Sequence, residues 1–198
     1  MASNTPALVL GSASPRRAEL LAQLGLSFTV VGADIDETPQ PGEAPRDYVL
    51  RMAQEKADAL AEPASVLLLT ADTTVVLDDV SLGKPRDSAD ARYMLQALSN
   101  RCHEVYTAIC LRQDSRSETA LVRTVVEFTT LPPALIDAYL STDEPWDKAG
   151  AYAIQGLAGS FVRGINGSVS NVIGLPLVET RELLAHFGIQ AGLGGAAA

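Results

Sequence analysis

The segment that most restricts how this chain can fold is residues 66–71, where only Thr70 carries a polar side chain. Such a run predicts a strand that is buried on both faces at the centre of a sheet. Apolar residues that recur at helical spacing before it predict a helix over residues 45–60. The strand leads directly into Asp72, so we expect an acidic side chain where the buried strand ends.

Strands and helices alternate along the rest of the chain. Two pairs of strands are predicted to form hairpins, one around a polar loop over residues 113–119 and one around Asn166-Gly167. Helices mixed with hairpins predict an α/β domain whose mixed sheet is flanked by helices, rather than a uniform parallel sheet. The further predicted strands cover residues 7–10, 28–31, 104–111, 121–129, 161–165 and 168–173, and the further predicted helices cover residues 15–24, 88–98, 132–140 and 176–188.

Length and charge limit the classes of protein to which this chain can belong. With 198 residues it fits one domain, which we expect over residues 1–190, followed by a flexible Gly/Ala tail over residues 191–198. A net charge of −9 argues against a broad nucleic-acid-binding face. No apolar run reaches the roughly 20 residues of a membrane span. Two cysteines without a CxxC spacing suit a reducing cytoplasm, so we expect a cytoplasmic protein with neither nucleic acid nor membrane as a partner.

A loop of small residues opens the first predicted helix and is the first candidate binding site. It contains Ser12 and Ser14 and is followed by Arg16 and Arg17. The free backbone N–H groups at a helix start favour an anion, and arginine matches phosphate oxygens in a bidentate manner. Two cations at a helix N-terminus are unfavourable unless an anion binds there. The alternative is an ordinary helix start with two solvated arginines.

Acidic residues form the second group of candidates. Asp72 would be costly to bury without a metal, a basic partner or hydrogen bonds. Asp34, Asp36 and Glu37 follow a predicted strand and, together with Asp72, could supply oxygen ligands to Mg²⁺. The alternatives are a structural aspartate that caps backbone amides and a solvated acidic loop.

Lysines and one glutamine complete the candidates. A compact ammonium suits the neutralisation of phosphate; Lys56 lies in the second predicted helix, and Lys84 follows Asp72 closely in the sequence. Gln155, beside Gly156, offers a donor and an acceptor that can read the edge of a nucleobase. Each of these residues, taken alone, also fits an ordinary surface position.

Seven blocks, in this order, give the sequence a family resemblance. Together they resemble the Maf family of nucleoside triphosphate pyrophosphatases, over about residues 8–187. The stretch KAGAYxIQG resembles the branch of that family that acts on dTTP and UTP, whereas the branch that acts on 7-methyl-GTP differs there. The blocks are residues 12–17, 36–37, 51–57, 71–73, 83–85, 148–156 and 174–176.

The resemblance implies a fold, a reaction and a site. The implied fold is α/β, of the Maf/inosine-triphosphatase-like type, with two lobes, a central cleft and often a homodimer. The implied reaction converts the triphosphate to a monophosphate and pyrophosphate, with a divalent cation, Mg²⁺ or Mn²⁺. By matching position, the resemblance implies that Asp72 is the catalytic proton acceptor and that it holds the metal together with Glu37. Substrate specificity would be set by Arg16, Thr73 and Gln155. Phosphate would be bound by Ser12, Ser14, Arg16, Arg17, Lys56 and Lys84.

Three functions stay open on the sequence alone. The leading one is a house-cleaning enzyme that removes dTTP, UTP or modified pyrimidine triphosphates from nucleotide pools. The second is a nucleotide-binding regulator of septum formation with little turnover. The third is a purine-directed hydrolase of related fold, against which the block around Gln155 argues.

Overall fold

A computed structural model describes residues 6–60 and 62–192 of the chain. The end of the predicted tail, residues 193–198, lies outside the described residues. Within the described part, no helix has both the length and the apolar character needed to cross a bilayer. The strands are β1 (Ala7–Leu10), β2 (Phe28–Val30), β3 (Val66–Leu77), β4 (Val80–Leu82), β5 (Cys102–Gln113), β6 (Arg116–Phe128) and β7 (Val162–Asn166), and the helices are α1 (Pro15–Ala22), α2 (Pro45–Ala59), α3 (Ser88–Leu98), α4 (Pro133–Leu140), α5 (Val169–Ile173) and α6 (Leu177–His186).

The strands form a mixed sheet that is flanked by helices, as predicted. They pair in the order β2-β1-β3-β5-β6-β7, and β4 pairs with β3. Strand β1 is parallel to β2 and to β3, whereas β4 and β7 run antiparallel to β3 and β6. The sheet is therefore neither uniformly parallel nor a closed barrel.

The chain divides into two compact units, and the first carries the start of the sheet. It comprises the described residues up to Asp72, the segment Thr107–Val122, and the described residues from Gly174 onward. The leucines at 67, 68 and 69 are all almost completely buried, which confirms a strand covered on both faces. The first helix buries Leu20 and Leu21, and α2 buries the side chains that its helical spacing places on one face.

The second unit comprises Thr73–Tyr106 and Arg123–Ile173 and has an aromatic core. Phe128 makes edge-to-face contacts with Tyr152 and Phe161, at ring-centroid distances of 4.9 and 6.1 Å. Tyr139 makes an edge-to-face contact with Phe161, with a ring-centroid distance of 5.0 Å. Buried aromatic pairs of this kind add specific geometry to the area that they bury, so the segment around Tyr152 is anchored firmly in this core.

Strand β3 is longer than predicted, and this corrects the position of Asp72. The strand runs through Asp72 to Leu77, so this carboxylate lies within a strand rather than at its end. The added residues are threonine, valine and leucine, which suit a pleated and partly buried surface. Antiparallel pairing of Val75 with Leu82 extends the strand, and the chain turns only at Asp78 and Asp79, both with positive φ.

The predicted hairpin around Asn166-Gly167 is wrong, because the second predicted strand is helix α5. The backbone N–H of Ser168 donates to Thr124 Oγ1 at 3.0 Å. The Ser168 hydroxyl in turn accepts from the N–H of Asn171 at 3.3 Å, as a helix-capping serine does. The contact with Thr124 comes from another strand, so local turn preference could not reveal it.

Candidate active site

A buried lysine joins two of the predicted site carboxylates. The ammonium of Lys56 donates to Asp72 Oδ1 at 2.6 Å and lies 2.7 Å from Glu37 Oε1. Lys56 and Asp72 are each only 8% exposed, whereas the Glu37 side chain is half exposed. Because buried charges need a partner, this arrangement explains how Asp72 is accommodated inside a strand. The sequence left open a metal, a basic partner or hydrogen bonds for Asp72, and the structure shows the basic partner.

Two hydroxyl groups fix the elements that carry this ion pair. Thr70 Oγ1 donates to the backbone carbonyl of Ala53 at 2.6 Å and so ties β3 to α2. The Tyr48 hydroxyl donates to the backbone carbonyl of Glu37 at 2.9 Å. Burial raises the pKa of Tyr48 to about 12, and the Asp72 and Glu37 carboxylates add to the rise. Tyr48 therefore remains a hydrogen-bond donor at neutral pH.

The loop before α1 is organised by Arg17. Its Nη1 donates to Ser12 Oγ at 3.1 Å and its Nε donates to the carbonyl of Gly174 at 2.9 Å. The same Ser12 hydroxyl accepts from the backbone N–H of Ser14 at 3.3 Å. Arg17 is thus held by protein groups and is not the solvated arginine of the alternative interpretation. Arg16, the next residue toward the helix start, is partly exposed.

The Arg17 guanidinium of this loop interacts electrostatically with the buried Asp72 carboxylate. Burial lowers the pKa of Arg17, the Asp72 carboxylate opposes that effect, and the neighbouring Arg16 adds to it. Arginine stays protonated despite such shifts. The interaction with Asp72 indicates that the predicted phosphate loop and the predicted catalytic acid act on each other electrostatically.

The remaining predicted site residues belong to the second unit. Thr73 follows Asp72 in β3 and is partly buried, and Lys84 is exposed in the turn after β4. The N–H of Gly150 donates to the carbonyl of Gly83 at 3.1 Å, so the turn bearing Lys84 is tied to the segment that begins the KAGAYxIQG stretch. Gln155 is exposed on a turn that closes where the N–H of Gly156 donates to the carbonyl of Ala153, at 3.0 Å.

Comparison with known families identifies the chain. The family description "Maf: Maf-like protein" matches residues 7–187. The chain belongs to the Maf family. This confirms the resemblance carried by the seven blocks.

Named relatives of this Maf chain cover nearly its whole length. A dTTP/UTP pyrophosphatase of Anaeromyxobacter dehalogenans is 57% identical over 187 residues, covering 92% of this chain and 95% of the relative. A dTTP/UTP pyrophosphatase of a Shewanella species is 53% identical over 195 residues, covering 92% and 99%. Among solved structures, the Staphylococcus aureus Ham1 protein is 15% identical with a TM-score of 0.49, covering 92% of this chain and 98% of that one.

Glu37 and Asp72 are the metal ligands that the sequence predicts for this Maf chain. Across residues 6–60 and 62–192, no group of three or more His, Cys, Asp or Glu side chains could hold a metal ion. Glu37 and Asp72 nevertheless present carboxylate oxygens to one shared point, the Lys56 ammonium. Mg²⁺ is commonly bound by one or two carboxylates together with substrate phosphates rather than by a cage of protein ligands. This pair of carboxylates fits that type of site.

Sequence reasoning missed several residues that shape the site. Tyr48 appeared only as part of the apolar stripe of α2, and Thr70 only as a polar exception in a buried strand. Glu144 belonged to none of the predicted groups of candidates, yet it accepts a backbone hydrogen bond from Leu157 at 2.8 Å. The polar exception in an otherwise apolar strand was the one indication that the sequence offered, since buried hydroxyl groups require a partner.

Proposed function

We propose that this chain hydrolyses dTTP and UTP to the monophosphate and pyrophosphate and so removes such nucleotides, and modified pyrimidine triphosphates, from the nucleotide pool. The observation that carries the proposal is the identity of 53–57% with proteins named dTTP/UTP pyrophosphatase over 92% of the chain. The buried pair of Asp72 and Lys56 supports it, because it places an acid beside a cation suited to phosphate.

In the proposed reaction, water attacks the α-phosphorus. A bond forms between the water oxygen and the α-phosphorus, while the bond from that phosphorus to the oxygen bridging to the β-phosphorus breaks. Pyrophosphate leaves with the electron pair of the broken bond. Asp72 accepts the proton of the attacking water, the role of a positioned general base.

Positive charge for the leaving pyrophosphate comes from the first unit's loop and lysine. Transfer at phosphorus is accelerated chiefly by positioning and by charge stabilisation. Arg17 and Ser12 are already oriented by mutual hydrogen bonding, and Lys56 lies beside the base. Lys84, Arg16 and Ser14 complete the proposed phosphate contacts. Thr73, Arg16 and Gln155 are proposed to select the pyrimidine nucleotide.

We also propose that a divalent cation, Mg²⁺ or Mn²⁺, takes part. Glu37 and Asp72 would hold it, and when bound it would neutralise phosphate charge and polarise the reacting phosphoryl group. The half-exposed carboxylate of Glu37 supports this assignment, because it can turn from Lys56 toward a cation without a large burial cost. Dialysis against a chelator should abolish turnover, and added Mg²⁺ should restore it.

Cellular location and assembly form a separate proposal. We infer a cytoplasmic homodimer acting on a nucleotide and not on a nucleic acid. Cys102 and Cys110 are both free thiols, which is compatible with a reducing compartment. Light scattering after size-exclusion chromatography tests the dimer, and a mass near the 20.9 kDa of one chain would contradict it.

A panel of nucleotides with Mg²⁺, scored for pyrophosphate and for inorganic phosphate separately, tests the proposed function. We expect pyrophosphate from dTTP and UTP and much less from purine triphosphates. Release of inorganic phosphate would place the cleaved bond elsewhere. Tight nucleotide binding without turnover would instead favour the regulator of septum formation.

A further inference from the structure

Glu144 accepts three hydrogen bonds with its one carboxylate. The hydroxyl of Tyr139 donates to it at 2.9 Å, and the backbone N–H groups of Leu157 and Ala158 donate at 2.8 and 3.1 Å. The two amides begin a 3₁₀ turn over Leu157–Phe161, whose first N–H groups have no carbonyl within the turn to accept them. A charged acceptor makes such bonds stronger than neutral ones, so Glu144 fixes where this turn begins.

Tyr139 fixes the backbone just before the same turn. The N–H of Ala153 donates to the Tyr139 hydroxyl at 3.3 Å, while that hydroxyl donates to Glu144. Gln155 lies between Ala153 and the amide of Leu157, so the backbone is held on both sides of it by one connected pair of side chains. Gln155 itself is exposed. Its direction therefore depends on the backbone that carries it rather than on packing around its amide.

Gly156 shows how closely this carboxylate approaches the turn. A Cβ atom at position 156 would lie 2.2 Å from Glu144 Oε2 and 2.5 Å from its Cδ. The φ angle of Gly156 is −109°, which other residues also adopt. A Cβ atom at this position would therefore displace the Glu144 carboxylate, so glycine at position 156 lets that carboxylate keep its bonds to the turn.

We propose that Glu144, acting with Tyr139, is a positioning residue that sets nucleobase discrimination through the turn that bears Gln155. The inference rests on the proposed function, because it presupposes that Gln155 reads the base. A hydrogen-bonding side chain discriminates between bases only when its donor and acceptor are held in a fixed direction. Uracil and cytosine differ at that edge, where one presents a carbonyl oxygen and an N–H and the other an amino group and a ring nitrogen.

The test compares kcat and KM for UTP and CTP in the wild type and in Glu144→Ala. We expect the ratio of kcat/KM for UTP to that for CTP to fall about tenfold, chiefly through KM for UTP. A merely structural role would reduce the amount of active enzyme and lower both values by one factor, which leaves the ratio unchanged. Asp143→Asn is the matched control, because it removes a carboxylate from the adjacent, exposed position and should keep the wild-type ratio.

Three further variants keep the inference falsifiable if Glu144→Ala folds poorly. Glu144→Gln keeps the side-chain shape and one acceptor, so it should give an intermediate ratio. Tyr139→Phe removes the hydroxyl shared by Glu144 and Ala153 and should lower the ratio as well. Gly156→Ala should lower the UTP-to-CTP ratio when it is made alone. It should add little in the Glu144→Ala background, where the carboxylate that a Cβ atom would meet is absent.

The outcomes separate this inference from the proposed function. An unchanged ratio in Glu144→Gln and Tyr139→Phe, in a wild type that releases pyrophosphate, would overturn the positioning role and leave the function intact. A wild type that releases no pyrophosphate from either nucleotide would overturn the proposed function itself. Equal effects of Gly156→Ala in both backgrounds would show that the turn is not held through Glu144.

Discussion

The ammonium nitrogen of Lys56 lies 2.6 Å from Oδ1 of Asp72, and both side chains are almost fully buried. The proposed general base and a proposed phosphate ligand are therefore one electrostatic unit. Glu37 completes the unit from the exposed side. In the proposed reaction, an incoming triphosphate would offer Lys56 a third anion beside Asp72 and Glu37, so we expect substrate binding to affect Asp72 through this lysine.

Replacing Asp72 by asparagine should lower turnover of UTP by at least about a hundredfold, the usual contribution of a positioned base. The asparagine oxygen can still accept from Lys56, so binding of a non-hydrolysable UTP analogue should remain measurable by calorimetry. Asp58→Asn is the control, since this exposed aspartate of α2 pairs with Arg112 of β5 and does not contact Lys56 in the ion pairs of the site. Wild-type-like turnover in Asp72→Asn would remove this residue from its catalytic role.

Replacing Lys56 by methionine should lower the free energy of unfolding by about 3 kcal/mol, because it leaves a buried carboxylate without its cation. Urea unfolding followed by circular dichroism measures the loss. Arg46→Gln removes an exposed cation from the same helix and should change stability by less than about 0.5 kcal/mol. Equal unfolding midpoints for Lys56→Met and the wild type would contradict the buried ion pair.

Replacing Arg17 by lysine should raise KM for UTP about tenfold with a smaller effect on kcat. A lysine has one ammonium, so it cannot reproduce the separate Nε and Nη1 bonds to Gly174 and Ser12. Steady-state kinetics measures the effect, and Arg181→Lys, at an exposed position of α6, serves as the matched conservative change. An unaltered KM would show that the orientation of Arg17 is not needed for phosphate binding.

His103 should make stability depend on pH. It is 2% exposed, its Nε2 lies 2.8 Å from the Tyr152 hydroxyl, and burial lowers its pKa from 6.5 to about 4. As the pH falls, the unfolded chain therefore binds a proton at His103 at a higher pH than the folded chain does. The stabilisation is complete above about pH 6.5 and is lost progressively as the pH falls toward 4, by about 3 kcal/mol in all.

Urea unfolding at pH 7.5 and pH 4.5 checks this dependence. Carboxylates also titrate in this range, so the informative quantity is the difference between the wild type and His103→Gln. The variant should lose less stability on acidification than the wild type. Parallel slopes for His103→Gln and the wild type would contradict the neutral, buried imidazole.

Local chemistry explains why many element boundaries were predictable. Helices α1, α2 and α4 begin with a proline, where the missing N–H costs nothing. The chain leaves α1 and α3 through Gly25 and Asn100, both with positive φ, as expected of a glycine and an asparagine that stop helices. Each of these signals depends only on residues within about one turn of the helix end, so it can be recognised from the sequence alone.

Contacts between distant segments explain the errors. Residues 168–173 have the composition of a strand, but Thr124 and the Ser168 cap commit them to a helix. Strand β3 continues past Asp72 because β4 returns to pair with it. At both places a contact with another segment decided the structure, and local preference alone did not show that contact.

In the candidate site, too, some features followed from the sequence and others only from the tertiary structure. Residue types and order alone determined the family, the α/β class and the candidates Asp72, Lys56 and Glu37, because charge and hydrogen-bonding capacity are properties of each side chain. Only the tertiary structure decided that one ammonium bonds two carboxylates, and that Glu144 receives amides 13 and 14 residues away. Such pairings depend on distances set by the packing of whole elements, and spacing along the chain does not encode those distances directly.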